Sequence, residues 1–110
     1  MMYHYKALVT RVVDGDTVDV NIDLGFNLVH MKQRIRLFGV DAPELKGADK
    51  LDGLSAKSWL QAQIENKEID LISLEHKKGK YGRWLGIICM DGRNINQELI
   101  EKGFAVSIAT

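Results

Sequence analysis

Three β-like segments, a helical stretch, two more β-like segments and a short second helix follow one another within 110 residues. That order predicts a β-rich α+β fold, a five-stranded Greek-key OB-fold barrel with two helices, with residues 1–110 forming one domain. Two observations carry the expectation. The helix falls between the third and fourth strands, as an OB barrel requires, whereas a ferredoxin-like sandwich needs one after the first strand. The apolar spacing also changes from a period of two to a period near four, and then back.

Each element has its own signal. Tyr5 to Val13 is rich in β-branched and aromatic residues and ends at Asp14-Gly15. In such a turn the Asp bonds nearby backbone and the Gly is expected to supply a positive φ. Thr17 to Leu24 sets Val18, Val20, Ile22 and Leu24 against Asp19, Asn21 and Asp23, the pattern of a half-buried strand after a hairpin. Gly25-Phe26-Asn27 turns the chain. The third strand, Met31 to Val40, has Gln33, Ile35 and Leu37 on one face and Lys32, Arg34, Arg36 and Phe38 on the other. Pro43 stops it, and a loop holding Gly47 and Gly53 is expected to follow. From Leu54 to Asn66 the residues Ala56, Leu60 and Ile64 recur every four positions, with Trp59 beside them. Ile69 to Leu74 returns to strand. Trp84 to Met90 is nearly all apolar, so cover on both faces is expected. Asp91-Gly92 turns again. Asn94 can cap a short helix with Ile95, Leu99 and Ile100 as its stripe and Gly103 as its end. Phe104 to Ile108 is a last extended piece.

Composition excludes several classes. A hydrophobic fraction of 45% without low-complexity tracts excludes disorder. No window approaches the ~20 uncharged apolar residues of a membrane span, so no membrane partner is expected. The single cysteine, Cys89, allows no internal disulfide and no cysteine zinc site, and no disulfide-linked partner is expected. Met1 to Lys6 lacks the apolar stretch of a secretory signal, which fits a cytoplasmic protein, with a processed secreted form left open. A monomer is expected. Fifteen Lys+Arg balance fifteen Asp+Glu, so net charge gives no support for a nonspecific nucleic-acid binder. The local distribution differs. His76-Lys77-Lys78-Gly79-Lys80-Tyr81-Gly82-Arg83 is basic and aromatic, although a solvated loop would look the same.

Three segments can carry chemistry. Val13-Asp14-Gly15-Asp16-Thr17 is an acid-Gly-acid turn, a common structural device when alone. In Arg34-Ile35-Arg36-Leu37-Phe38-Gly39-Val40-Asp41-Ala42-Pro43-Glu44, two arginines share a strand face and two acids bracket the break at Pro43. Lys80-Tyr81-Gly82-Arg83 adds a further planar cation, Arg83, suited to phosphate. Asp16, Asp41 and Glu44 are hard oxygen donors, which suit Ca²⁺ or Mg²⁺ rather than zinc. Acids with a metal and two arginines are what phosphodiester hydrolysis requires. His4, His30 and His76 lack catalytic partners in the sequence. Cys89, Trp59 and Trp84 read as packing residues.

These motifs, followed by Asp91-Gly92, Asn94-Ile95-Asn96 and Leu99-Ile100, together resemble the staphylococcal nuclease (thermonuclease) family from Tyr5 to the end of the chain. The resemblance implies an OB-fold, Ca²⁺-dependent nuclease acting on DNA and RNA, which cleaves the 5′ P–O bond and leaves a 3′-phosphate. It implies Asp16 and Asp41 as metal carboxylates and Ala42 as a backbone-carbonyl ligand. It implies Glu44 as the residue that positions water or serves as base, Arg36 and Arg83 as the phosphate-gripping pair, and Lys80 and Tyr81 as contacts to the neighbouring phosphate. Three departures stand out. The stretch between Asp16 and Arg36 is several residues longer than the family pattern, which implies an extended first hairpin holding Asp23, Asn27 and His30. Ala109 stands where the family's type member has a nucleotide-contacting tyrosine. The chain also stops where the type member continues into a third helix, and the five-strand core is expected to be complete without it. A non-catalytic OB-fold nucleic-acid-binding module is the alternative reading, and a structural interaction domain a third.

Overall fold

The computed structural model describes residues 2–78 and 83–108, with the side chains of 75–78 left aside. Five strands form a closed ring. β1 (Met2–Asp14) pairs antiparallel with β2 (Thr17–Gly25), and β2 with β3 (Leu28–Leu37). On its other side β1 pairs with β5 (Glu68–Lys78), and β5 with β6 (Trp84–Met90). Parallel pairing of β3 with β6, from Ile35 opposite Trp84 to Leu37 opposite Gly86, closes the barrel. This is the OB-fold topology. Three two-residue strands complete the set: β4 (Val40–Asp41), β7 (Arg93–Asn94) and β8 (Val106–Ser107). Helix α1 (Lys50–Ile64) bridges β4 and β5, and α2 (Ile95–Glu101) follows β7. No described helix is long and apolar enough to cross a membrane.

The alternation read from the sequence fills the barrel. Val18, Val20 and Ile22 from β2 meet Ile35 and Leu37 from β3, with Val9, Val12, Leu71 and Ile88 from the other strands, all buried. Helix α1 adds Ala56, Leu60 and Ile64, and α2 adds Ile95 and Leu99. Trp59 and Phe104 stack with ring centroids 5.4 Å apart and join α1 to the C-terminal segment.

The boundaries differ from the pattern in physically readable ways. Helix α1 begins at Lys50, not Leu54, and so includes Gly53. It ends at Ile64, because Glu65 is extended and Asn66 is left-handed with φ 62°. The third strand ends at Leu37. Gly39, at φ 75°, turns the chain before Val40 starts β4. A bulge interrupts β3 at Lys32, whose φ is 55° and whose N–H donates to Asn21 Oδ1 at 3.0 Å. The expected Lys32–Arg34–Arg36 face is therefore broken at its first member. Strand β6 buries Gly86 and Ile88 fully and its other residues by half, so cover is complete on one face only. Cys89 is half-buried rather than a core residue, and burial pushes its thiol up from the ordinary value.

Asn96 ties α2 to the barrel. It is 5% exposed, yet its Nδ2 donates to Phe38 O at 3.0 Å and Gly86 O at 3.1 Å, and its Oδ1 accepts from Ile88 N at 3.1 Å. Asn94 caps the same helix by accepting from Gln97 N, as its position suggested. Removing the Asn96 amide leaves Ile88 N and Phe38 O without that partner, while Gly86 O keeps the Phe38 N–H at 2.8 Å, and each buried group left unsatisfied costs about 1–3 kcal/mol. Asn96→Ala is therefore expected to lose roughly 3–5 kcal/mol in urea unfolding, against about 1 kcal/mol for Asn94→Ala. Equal losses would assign Asn96 no special part.

Candidate active site

The site is built where the β1–β2 turn meets the segment after β4. Asp14 Oδ1 accepts from Asp16 N at 3.1 Å, the expected turn bond. Gly15 has no positive φ, contrary to the expectation for that turn. Its need is space: an added Cβ would lie 2.7 Å from Ala56 Cβ and 2.8 Å from Ala42 Cβ. The close approach brings α1, the turn and the 41–44 segment together.

Asp16, 8% exposed, lies at this junction. Its Oδ2 accepts from Ala42 N at 2.9 Å, and its Oδ1 accepts from the Thr17 hydroxyl at 3.0 Å. Arg36 Nη1 stands 3.3 Å from Asp16 Oδ2, and Arg36 Nη2 stands 3.5 Å from Asp41 Oδ1. The guanidinium is itself held by backbone, with Nη1 donating to Val40 O at 2.6 Å and Leu37 O at 3.4 Å. One cation thus spans the two carboxylates. Burial pushes the Asp16 carboxyl from its ordinary 3.8 up to about 6, helped by its hydrogen bond with Asp14 and opposed by the Ala42 N–H and Arg36.

Asp41, Ala42, Pro43 and Glu44 line an open cleft of about 420 Å³, closed on the far side by Asp49 and residues 103–106. Asp41 and Glu44 are exposed to it. The backbone of this wall rests on Gly53. A Cβ there would meet Glu44 O and lie 2.8 Å from Glu44 C and 2.9 Å from Pro43 O. Gly53 looked like loop because glycine punctuates loops, and its packing role leaves no periodic trace. Thr17 and Asp14 were also missed as site residues, although both sit in the motif already singled out.

Arg83 immediately precedes β6, where Trp84 faces Ile35 and Leu85 faces Arg36 across the parallel pairing. Its backbone is therefore about two residues, or roughly 7 Å, from the level of Arg36 on the adjoining strand. Lys80, Tyr81 and Ala109 lie outside the described residues. Trp84 donates from Nε1 to Gln33 Oε1 at 3.0 Å and Trp59 stacks on Phe104, so both have packing partners. Arg34, the second arginine of the motif, forks onto Asp19 at 2.8 and 3.1 Å, away from the cleft.

Residues 34–110 match the family described as staphylococcal nuclease homologue, and the chain belongs to that family. An uncharacterized protein of Methanocaldococcus jannaschii is 33% identical over 129 residues, covering 93% of this chain and 58% of that one. Endonuclease YhcR of Bacillus subtilis is 32% identical over 111 residues, 92% of this chain and 9% of that protein. Thermonuclease of Staphylococcus intermedius is 32% identical over 101 residues, 89% of this chain and 56% of that one. The chain thus spans little more than half the length of these relatives, or much less.

The burial of Asp16 makes stability pH-dependent with a definite sign. Its carboxyl is raised on folding, so the penalty is absent below about pH 3.8, grows up to about pH 6, and is full above that. Asp16→Asn removes this penalty, which amounts to at most about 3 kcal/mol. Without divalent cations, the variant is expected to gain stability relative to wild type as pH rises from 4 to 7.5. Urea midpoints at the two pH values check this. A pH-independent difference would contradict it.

Proposed function

We propose that this chain is a Ca²⁺-dependent phosphodiesterase that hydrolyses DNA and RNA with little sequence preference. The observation that carries the reading is the pairing of a buried carboxylate with a backbone-clamped guanidinium, beside a cleft walled by Asp41, Ala42 and Glu44. Membership of the staphylococcal nuclease family supports it. So do the names Thermonuclease and Endonuclease borne by two relatives.

A hard divalent cation fits the residues present. Asp16 is a desolvated carboxylate that Arg36 leaves under-compensated, and every nearby donor is an oxygen. Among the described residues no three His, Cys, Asp or Glu side chains converge. Asp16, Asp41 and the Ala42 carbonyl, with water, would hold the ion, and so loose a set favours Ca²⁺ over Mg²⁺. When bound, it supplies Lewis-acid stabilisation of the phosphate oxygens. In this reading Glu44 takes the proton of the attacking water. The water oxygen bonds to phosphorus, and the bond to the 5′ oxygen breaks; that oxygen takes a proton from solvent, leaving a 3′-phosphate and a 5′-hydroxyl. Arg36 and Arg83 offset the extra negative charge on phosphorus, where a planar fork fits the equatorial oxygens. Lys80 and Tyr81 grip the next phosphate. The alternative is an OB-fold module that binds without cutting, in which Asp16 would serve only to join the β1–β2 turn to the 41–44 segment.

Glu44→Gln keeps size and polarity but cannot accept the proton. Single-turnover cleavage with Ca²⁺ is expected to fall about 10²–10⁴-fold, while affinity for a non-cleavable strand stays level or rises. Wild type should cut with Ca²⁺, weakly with Mg²⁺ and not in EDTA. Ca²⁺ should raise its thermal midpoint at pH 7.5 but not that of Asp16→Asn. Wild type that binds strands and cuts none would favour the binding module.

Gly53 acts through Glu44 in this scheme. Gly53→Ala is expected to lower turnover about a hundredfold with strand affinity kept, since an ångström of misplacement suffices. In the Glu44→Gln background the same change should cost almost nothing more. Additive losses would reduce Gly53 to a folding role. Gly86→Ala, which crowds Leu71 and Ile35 instead, is the control for stability loss alone.

A further inference from the structure

The end of the barrel where β1 begins and β2 ends holds a recess that the proposed chemistry leaves unused. Ile22, Ile35 and Leu71, all buried, form its floor. Tyr5, Ser73 and Trp84, all half-buried, form its walls. The extended β2–β3 hairpin adds Leu24 and His30 at the exposed rim. The recess measures about 140 Å³. A cavity of about 150 Å³ accepts a benzene ring, so this one has the size of a single six-membered ring. Tyr5, His30 and Trp84 are flat, and the Trp84 indole is fixed by its bond to Gln33 Oε1. Ser73 adds a hydroxyl that can donate and accept. Flat apolar walls with a few polar groups suit a heteroaromatic ring.

Charge says what such a ring is attached to. Among the described residues no acid lines the recess, whereas Asp41, Glu44 and Asp49 line the cleft. Ser73 and Trp84, on its walls, are also the two residues that bracket the segment holding Lys77, Lys78, Lys80 and Arg83, with Glu75 as its one acid. Arg83 directly precedes Trp84. A polyanion drawn to these cations therefore arrives beside the recess. A nucleic-acid strand brings both the charge and the ring.

We propose that the recess takes one nucleobase of a single-stranded substrate, from a nucleotide next to the phosphate that meets Arg83. The inference rests on the nuclease reading and adds a base subsite to it. A pyrimidine matches the volume, and a purine exceeds it by a ring. The base comes from an unpaired stretch, since leaving a duplex costs unstacking and unpairing. Stacking tolerates any base to some degree, so the preference it gives in cutting is slight. The hairpin's extra length acquires a use, because it carries His30 to the rim. Sequence spacing hid this, since Tyr5, Ser73 and Trp84 come from three other strands.

The test measures binding of the whole chain, with Ca²⁺, to non-cleavable strands of equal length and charge: hexathymidylate, hexadeoxyadenylate and an abasic analogue. Wild type is expected to bind the thymine strand at least about fivefold more tightly than the abasic one, with the adenine strand weaker than the thymine strand. His30→Ala removes a ring at an exposed position and leaves the barrel core alone. Ser73→Leu fills the recess. Each should weaken binding of the thymine strand about five- to a hundredfold and leave binding of the abasic strand unchanged. Wild type that cuts an ordinary thymine strand yet binds the three non-cleavable strands alike would overturn this inference and leave the nuclease reading standing. Wild type that neither binds nor cuts any strand would remove both. A thymine preference kept by both variants would place the base elsewhere and overturn the recess as its site.

Discussion

The rest of the site depends on one hydrogen bond, from the Ala42 N–H to the buried carboxylate of Asp16. It joins the β1–β2 turn to a segment 26 residues away and stands next to the Arg36 guanidinium. Low local dielectric makes that cluster strong when complete and costly when any member is lost. Its position requires two glycines. Gly15 lets the turn approach Ala42 and Ala56, and Gly53 lets α1 lie against the backbone of Pro43 and Glu44. Stability and placement of the acids are therefore set by the same few contacts.

Arg36 shows how one side chain can serve both ends. Its carbonyl bonds to Leu37 and Val40 stitch the end of β3 to β4, and its guanidinium faces Asp16 and Asp41. Arg34, two residues earlier on the same strand, pairs with Asp19 and takes no part in the cleft. The two looked equivalent by spacing. What separates them is the partner strand: Asp19 stands directly opposite Arg34, and Thr17 opposite Arg36.

The barrel was legible because alternation reports burial directly: Val18, Val20 and Ile22 are inside, and so are Ile35 and Leu37. The Asn94 cap was legible because capping is local. The roles of Gly53 and Asn96 were not, since each answers to atoms brought near only by the fold. The bulge at Lys32 was hidden for a related reason. Nothing in Met31-Lys32-Gln33 marks an extra residue, and the register shift exists only relative to β2. Asp16 and Asp41 could be named from motif order, yet the 8% exposure of the first has no sequence signal.

The parallel pairing of β3 with β6 has a kinetic meaning. Ile35 and Trp84 meet across roughly 50 intervening residues, so the ring closes only after a long and entropically costly loop has formed. Every other strand pair in the barrel is antiparallel, and the β1–β2 and β2–β3 pairs are joined by tight turns and can form early. Arg36 and Arg83 come from opposite sides of that last seam. A chain emerging from the ribosome can hold the acids of the first hairpin long before its second arginine arrives. Completion of the barrel and the meeting of the Arg36 and Arg83 strands are thus a single event, and a half-folded chain keeps the two arginines apart.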